Sequence, residues 1–125
     1  MKRKPISSAA ACEAASPLRL REVAGCLELD EESLALRCGL SRSTYYRRRQ
    51  SNKSLSAAES DLLDRHALIH AHACDVFESS AAAARWLKTP QYGLGGAVPL
   101  DAIRTTAGFR EVEKLLTRID YGVYA

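Results

Sequence analysis

Three side chains that can bind transition metals recur at every fourth position of one segment. His66, His70 and Cys74 have the spacing that places residues on one face of an α-helix, and two histidines four residues apart can hold a zinc ion. No glutamate follows the first histidine, as it does in H-E-x-x-H, and no fourth ligand stands nearby. We therefore expect core or partly buried side chains on a packed helix and no metal site. A metal-dependent enzyme that uses His66 and His70 is the open alternative.

A second candidate for chemistry is the glycine-rich stretch YGLGGAVPL, residues 92–100. A dinucleotide-binding loop needs G-x-G-x-x-G between a strand and a helix, so that backbone N–H groups meet the pyrophosphate. Here the preceding residues, 86–88, have helical character, and the lysine of a P-loop is absent. The stretch predicts a turn between two helices. No serine lies in a nucleophile elbow, so we expect no catalytic residues and no cofactor.

Cationic side chains are concentrated in one segment. The sequence has 18 Lys and Arg against 15 Asp and Glu, a formal net charge of +3, yet every charged side chain from Leu34 to Ala58 is positive. These residues are Arg37, Arg42, Arg47, Arg48, Arg49 and Lys53. Such a cluster suits the phosphates of DNA, and it also fits a solvated charge run or a face for an acidic partner.

The elements around the basic segment predict a helix-turn-helix. Asp30 precedes two acids where a helix start favours them, Gly39 permits the positive φ of a tight stop, and Ser41 caps a helix from Arg42 to about Gln50. In helix-turn-helix DNA readers, residues near the start of the second helix contact bases and flanking cations contact phosphates. The predicted DNA-binding residues are Arg42, Ser43, Thr44, Tyr46, Arg47, Arg48 and Arg49.

Two residues of this segment depart from the motif. Tyr45 and Arg48 stand where helix-turn-helix proteins usually bury branched aliphatic side chains, which leaves the docking angle open. The aliphatic part of Arg48 can lie along the edge of the core while its charge stays in water. Since one copy binds DNA weakly, we expect a dimer that recognises a palindromic operator in its own promoter.

The remaining pattern predicts an all-α fold. Ser16 and Pro17 start a first helix with an apolar face at Leu20, Val23, Ala24 and Leu27, and Gly25 weakens it. Ser56 and Glu59 form a capping box that opens a long helix. Shorter helices are predicted at 81–88, at 100–106 with its end at Gly108, and at 109–121. No strand with period-two alternation appears.

Composition favours one globular unit, or two small ones that share a core, in 125 residues of which 46% are hydrophobic. The four cysteines are widely spaced and form no C-x-x-C pair, so we expect reduced thiols in a cytosol. Ile6 is the one strongly apolar residue near the start, which predicts no secretion signal. No apolar run approaches the roughly 20 residues that cross a bilayer. We expect a cytoplasmic protein without a membrane partner.

Three motifs near the C-terminus resemble a known family. They are RWLKTP at 85–90, LGGAVPL at 94–100 and TTAGFREVEKLLTRIDYGV at 105–123. Together they resemble the C-terminal toxin-binding domain of bacterial antitoxins of the Xre/MbcA/ParS type over about the last forty residues. Composition and the helix pattern predict three regions, which are a flexible basic arm (1–15), a helix-turn-helix DNA-binding region (16–55) and a central linking helix (56–78). The resemblance implies a fourth, a toxin-binding domain with a C-terminal tail (79–125).

The resemblance also implies a partner, a RES-domain toxin that consumes NAD or uses it to modify a target. In this family the antitoxin's C-terminal end commonly reaches into the toxin's active-site cleft. The predicted toxin-binding residues are Trp86, Leu94, Tyr121, Gly122, Val123, Tyr124 and Ala125, with the core as the first choice for Trp86. Two tyrosines and a terminal carboxylate can stack and bond in a pocket built for NAD. The ordinary alternative is an unstructured terminus.

These inferences predict an antitoxin that occludes the active site of a RES-domain toxin and represses its own operon. We expect a homodimer within a larger toxin–antitoxin hetero-oligomer, bound to operator DNA. The alternative is a stand-alone helix-turn-helix transcriptional regulator whose C-terminal region only dimerises.

Overall fold

A computed structural model describes residues 17–122, and all regular secondary structure in that range is helical. The α-helices are α1 Pro17–Leu27, α2 Glu31–Arg37, α3 Arg42–Ser51, α4 Ala57–Phe77, α5 Ser80–Leu87, α6 Pro99–Ala102 and α7 Thr106–Asp120, with a 3-10 turn at Tyr92–Leu94. The prediction of an all-α fold is confirmed. The predicted basic arm at 1–15 and the cap at Ser16 lie outside the described residues.

The chain divides into two compact units, Met1–Asp64 and Arg65–Ala125, with the division inside α4. In the first unit α1 packs on α2, and α2 packs on α3. The predicted apolar face of α1 is confirmed, because all four of its residues are buried. The rest of this core consists of Leu34, Ala35, Cys38, Leu40, Tyr45, Leu55 and Leu63.

Local hydrogen bonds set the turn between α2 and α3. The Asp30 carboxylate accepts from the Ser33 N–H at 3.4 Å, and the Ser41 hydroxyl accepts from the Thr44 N–H at 3.2 Å. Gly39 has φ +99°, in the region that side chains rarely adopt. The predicted helix caps, the predicted stop at Gly39 after α2 and the helix-turn-helix are therefore confirmed.

The start of α4 has the predicted capping box. The Ser56 N–H donates to the Glu59 carboxylate at 2.9 Å, and the Glu59 N–H donates to the Ser56 hydroxyl at 3.2 Å. Reciprocal bonds of this kind satisfy two backbone donors that have no partner inside the helix. The box therefore fixes where the longest helix begins.

The second unit has its own apolar core. The buried side chains include Ile69, Ala73, Leu87, Leu100, Ile103, Val112 and Leu116. Arg65 joins α4 to the end of α6, where its Nη1 donates to the carbonyl oxygens of Ile103 and Arg104 at 3.0 and 2.9 Å. These bonds satisfy carbonyl groups that the short helix leaves without helical partners.

The predicted boundary between the last two helices was wrong. Gly108 does not end a helix at 100–106; it lies in the first turn of α7, which Thr105 caps by accepting from the Gly108 N–H at 3.0 Å. A Cβ at position 108 would lie 1.9 Å from the carbonyl oxygen of Ala102. Glycine is present here because the backbone of α6 approaches closely, a tertiary contact that a local pattern does not reveal.

No helix within residues 17–122 is both long and apolar enough to cross a bilayer.

Candidate functional sites

The side chains predicted to bind DNA lie along α3, from its first residue to its last turn. Most of these are exposed, while Thr44 and Arg48 are half-buried. Tyr45 is 4% exposed and belongs to the core, so this tyrosine does take the position of the aliphatic residue in the motif. Its ring meets that of Tyr46 edge-on, with 4.9 Å between centroids.

Glu32 of α2 contacts two of the predicted DNA-binding residues. Its carboxylate accepts from Arg42 Nε at 2.6 Å and from the Tyr46 hydroxyl at 2.8 Å. The hydrogen bond from Tyr46, followed by that from Arg42, lowers the pKa of Glu32 below its ordinary value of 4.5. Glu32 is therefore an ionised acceptor at neutral pH.

Arg48 has an internal partner. Its guanidinium donates to the Glu59 carboxylate, which also belongs to the capping box of α4. Burial by itself raises the pKa of Glu59, but the hydrogen bonds from the Ser56 backbone and from Arg48 outweigh it and lower the pKa. Arg48 thus joins the second helix of the motif to the start of α4. Its charge is paired with Glu59 in a partly buried position, which differs from the prediction that the charge stays in water.

A concave basic surface lies at the C-terminal end of α3. Its lining residues are Arg47, Arg48, Ser51, Lys53, Ser54 and Ser56. None of these described residues is acidic, and their guanidinium, ammonium and hydroxyl groups are the donors that bind phosphate oxygens. The arrangement suits a DNA backbone.

The glycine-rich stretch is a closed turn, as predicted. Gly95 and Gly96 have φ +67° and +90°. The N–H groups of Leu94, Gly95, Gly96 and Ala97 all donate to carbonyl oxygens within the loop. A phosphate-binding loop must offer unbonded N–H groups to its ligand. These four N–H groups are already bonded and therefore do not bind a phosphate.

An aromatic groove lies beside this turn in the second unit. It is lined by Phe77, Trp86, Gln91, Tyr92, Gly93, Leu115, Arg118 and Ile119. Trp86 is half-buried and its ring packs against Phe77 with 5.6 Å between centroids, so it combines core packing with exposure. Tyr92 is 88% exposed. A Cβ on Gly93 would lie 2.8 Å from the Leu115 side chain, so this glycine lets the loop lie against α7.

The predicted toxin-binding residues are spread over the second unit. Leu94 is half-buried in the 3-10 turn, Tyr121 is 77% exposed after α7, and Gly122 has φ +74°. Val123, Tyr124 and Ala125 lie outside the described residues. The structure thus places Trp86 in the aromatic groove but does not test the predicted tail.

The histidines belong to a packed helix face, as expected. His66 is fully buried, His70 is 7% exposed and Cys74 is half-buried. His70 Nε2 lies 3.3 Å from the Ser80 hydroxyl, and Cys74 Sγ lies 3.6 Å from His70 Nδ1. Within the described range, no group of three or more His, Cys, Asp or Glu side chains is arranged to hold a metal ion.

Both parts of the chain match antitoxin domains. Residues 72–122 match the antitoxin Xre/MbcA/ParS C-terminal toxin-binding domain, and residues 8–67 match the antitoxin Xre-like helix-turn-helix domain. The chain belongs to the Xre-type antitoxin family. The resemblance inferred from the sequence is therefore confirmed.

Two curated members of this family are similar to the chain. The protein named Antitoxin Xre from Photorhabdus laumondii is 33% identical over 86 residues, which cover 68% of this chain and 58% of that protein. The Antitoxin Xre from Pseudomonas putida is 36% identical over 73 residues, which cover 58% of this chain and 46% of that protein. The chain thus spans about half the length of the curated relatives that it matches.

Sequence reasoning missed two residues of these surfaces. The sequence indicates only that Glu32 is an acid at a helix start, whereas its carboxylate contacts Arg42 and Tyr46 in the next helix. The sequence indicates only that Tyr92 belongs to a turn, whereas it is also a large, exposed aromatic residue. The signal in the sequence for an exposed Tyr92 is its place directly before three glycines of a turn.

Proposed function

We propose that this chain is an antitoxin that binds a RES-domain, NAD-consuming toxin and blocks its active site with the C-terminal segment. The observation that carries the proposal is the match of residues 72–122 to a toxin-binding domain. The aromatic groove in the same unit supports it, because exposed aromatic side chains are frequent anchors in protein interfaces. In this proposal the chain has no catalytic residues and requires no cofactor.

The segment that enters the toxin is proposed to begin at Tyr121. The helix α7 ends at Asp120, and the positive φ of Gly122 lets the chain leave it in a new direction. Tyr121 and Tyr124 supply ring faces and hydroxyl groups that can stack and donate in a pocket shaped for NAD. Tyr92 and Trp86 of the aromatic groove supply the contacts outside the cleft.

Toxin inhibition can be measured through NAD turnover by a RES-domain toxin encoded beside this chain's gene. Titration with the wild-type chain is expected to abolish NAD loss. Deletion of Val123–Ala125 is expected to weaken inhibition strongly without altering circular dichroism, whereas Arg47→Ala in the first unit serves as the unaffected control. An unchanged inhibition constant after the deletion contradicts occlusion by the tail, and no inhibition by the intact chain contradicts the antitoxin role.

We also propose that the chain represses its own operon as a homodimer bound, with its toxin, to operator DNA. The match of residues 8–67 to a helix-turn-helix domain and the concave basic surface support this role. Titration with promoter DNA at increasing salt is expected to reveal a complex whose affinity falls steeply, because phosphate contacts release counterions. The absence of a salt-sensitive complex, with and without toxin, contradicts repression.

Co-purification distinguishes this proposal from a stand-alone regulator. An antitoxin is expected to retain its toxin through several chromatographic steps, whereas a plain repressor purifies alone.

A further inference from the structure

The Glu32 carboxylate contacts two exposed residues of α3, Arg42 and Tyr46. It lies ten residues before Arg42 and fourteen before Tyr46. One carboxylate oxygen accepts from Arg42 Nε, and the other accepts from the Tyr46 hydroxyl. Each oxygen of a single carboxylate therefore orients a different side chain of the helix.

Part of the Arg42 guanidinium is left available by this contact. Within residues 17–122, the hydrogen bond of the Arg42 side chain involves Nε alone, and the side chain is 75% exposed. The terminal nitrogens carry the N–H groups that an arginine uses to donate to O6 and N7 of guanine. An arginine held at Nε therefore keeps donors suited to this base.

Tyr46 is held from two sides. Its ring rests edge-on against the buried Tyr45 ring, and its hydroxyl donates to Glu32. Side chains that are ordered before binding lose less freedom when a complex forms. Glu32, Arg42 and Tyr46 thus form a set that is arranged in the absence of DNA.

We propose that Glu32 is a positioning residue that holds Arg42 for bidentate recognition of a guanine in the major groove. The inference rests on the proposed DNA-binding role of α3. Arg42 is the first residue of that helix, and residues near the start of a recognition helix contact base edges. Because the Glu32 carboxylate also repels phosphates, its removal strengthens non-specific binding while it weakens the choice of base.

Selection of binding sites from a random DNA library tests the proposal with the full chain in complex with its toxin. The wild-type complex is expected to enrich a motif with a guanine in each half-site. Glu32→Gln is expected to lose about tenfold in discrimination at that base pair and to keep the other positions. Glu22→Gln is the matched control, because it removes one carboxylate from an exposed position on α1. Arg42→Lys keeps the positive charge but lacks the planar guanidinium, and it is expected to lose the preference for the same guanine.

The contact itself can be observed without DNA. The Arg42 Nε–H resonance is expected to exchange slowly with solvent in the wild type and in Glu22→Gln, and faster in Glu32→Gln, because a neutral amide oxygen is a weaker acceptor than a carboxylate. Tyr46→Phe removes one of the two bonds to Glu32 and is expected to reduce guanine discrimination by a smaller factor. It provides the base-specific measurement if Glu32→Gln does not fold.

Three outcomes overturn the inference. If the wild type enriches a motif and Glu32→Gln keeps the same guanine preference, Glu32 does not position Arg42, and the DNA-binding role stands. If Glu32→Gln binds every sequence more tightly with unchanged preferences, Glu32 only repels phosphates. If the wild type enriches no sequence, the DNA-binding role fails together with this inference.

Discussion

At the residue scale, the two glycines inside described α-helices have different surroundings. A Cβ on Gly25 would meet nothing within 4 Å, whereas a Cβ on Gly108 would lie 1.9 Å from a backbone oxygen. We expect Gly25→Ala to raise the free energy of unfolding by up to about 1 kcal/mol, since alanine favours a helix over glycine. Gly108→Ala is expected to lower it by about 1–3 kcal/mol. Urea denaturation of both variants measures the difference, and shifts of equal sign contradict the close approach at position 108.

Two cysteines of the first unit differ in their environment. Cys26 is exposed, whereas burial, followed by the nearby charge of Glu59, raises the pKa of Cys38 to about 12. Because the thiolate is the reactive form, Cys38 is expected to react with a thiol reagent at neutral pH roughly 1,000-fold more slowly than a thiol with the ordinary pKa of 9.0, and also more slowly than the exposed Cys26. The measurement uses two variants that each keep one of these cysteines and have alanine at the other three. Comparable rates in the folded variants contradict the burial of Cys38.

At the element scale, Glu59 links the start of α4 to α3. Glu59→Ala removes the capping bond and the partner of Arg48, so we expect a loss of about 2 kcal/mol in the free energy of unfolding. Glu59→Gln keeps an acceptor for the Ser56 N–H and should lose less.

The ion pair also gives a pH dependence. The pKa of Glu59 is lowered in the folded state, so its contribution to stability is present above the ordinary value of 4.5 and is lost as pH falls through the folded-state pKa. The stability difference between wild type and Glu59→Gln is therefore expected to stay constant from neutral pH down to about 5 and to shrink as the pH falls below 4.5. A difference that does not shrink below pH 4.5 contradicts the ion pair.

The three consecutive arginines of α3 are expected to have different roles. Arg48 is bound to Glu59 and half-buried, whereas Arg47 and Arg49 are exposed. Arg48→Ala is expected to lower the denaturation midpoint. Arg47→Ala and Arg49→Ala should leave it unchanged and each reduce the salt slope of DNA binding by about 1. Equal effects of all three variants on stability contradict this division.

At the scale of the whole molecule, the two proposed activities lie in different compact units. Tyr92→Ala, in the second unit, is expected to weaken toxin binding at least tenfold, as the loss of an interface aromatic typically does, and to leave DNA affinity unchanged. Arg47→Ala in the first unit should have the opposite pattern. Toxin titration and DNA titration of the same two preparations test the separation. A variant that weakens both activities equally contradicts it.

Most helices of this protein were predictable because their limits depend on neighbours within a few residues. The bonds of Asp30, Ser41 and the capping box span three positions. The positive φ of Gly39 likewise follows from the need to end one helix and start another. Helical spacing alone placed His66 and His70 in a packed face, which their burial confirms. Family membership followed from motifs of the same local kind.

Only the tertiary structure decided which side chains meet. Glu32 and Arg42 face each other because α2 and α3 pack at one particular angle, and Arg48 reaches Glu59 because the start of α4 lies beside α3. Gly108 is a glycine because the backbone of α6 approaches it, and Gly93 allows its loop to lie against Leu115. A local pattern specifies dihedral angles and one apolar face per helix, whereas these contacts depend on the relative placement of helices, which is set by how entire cores pack.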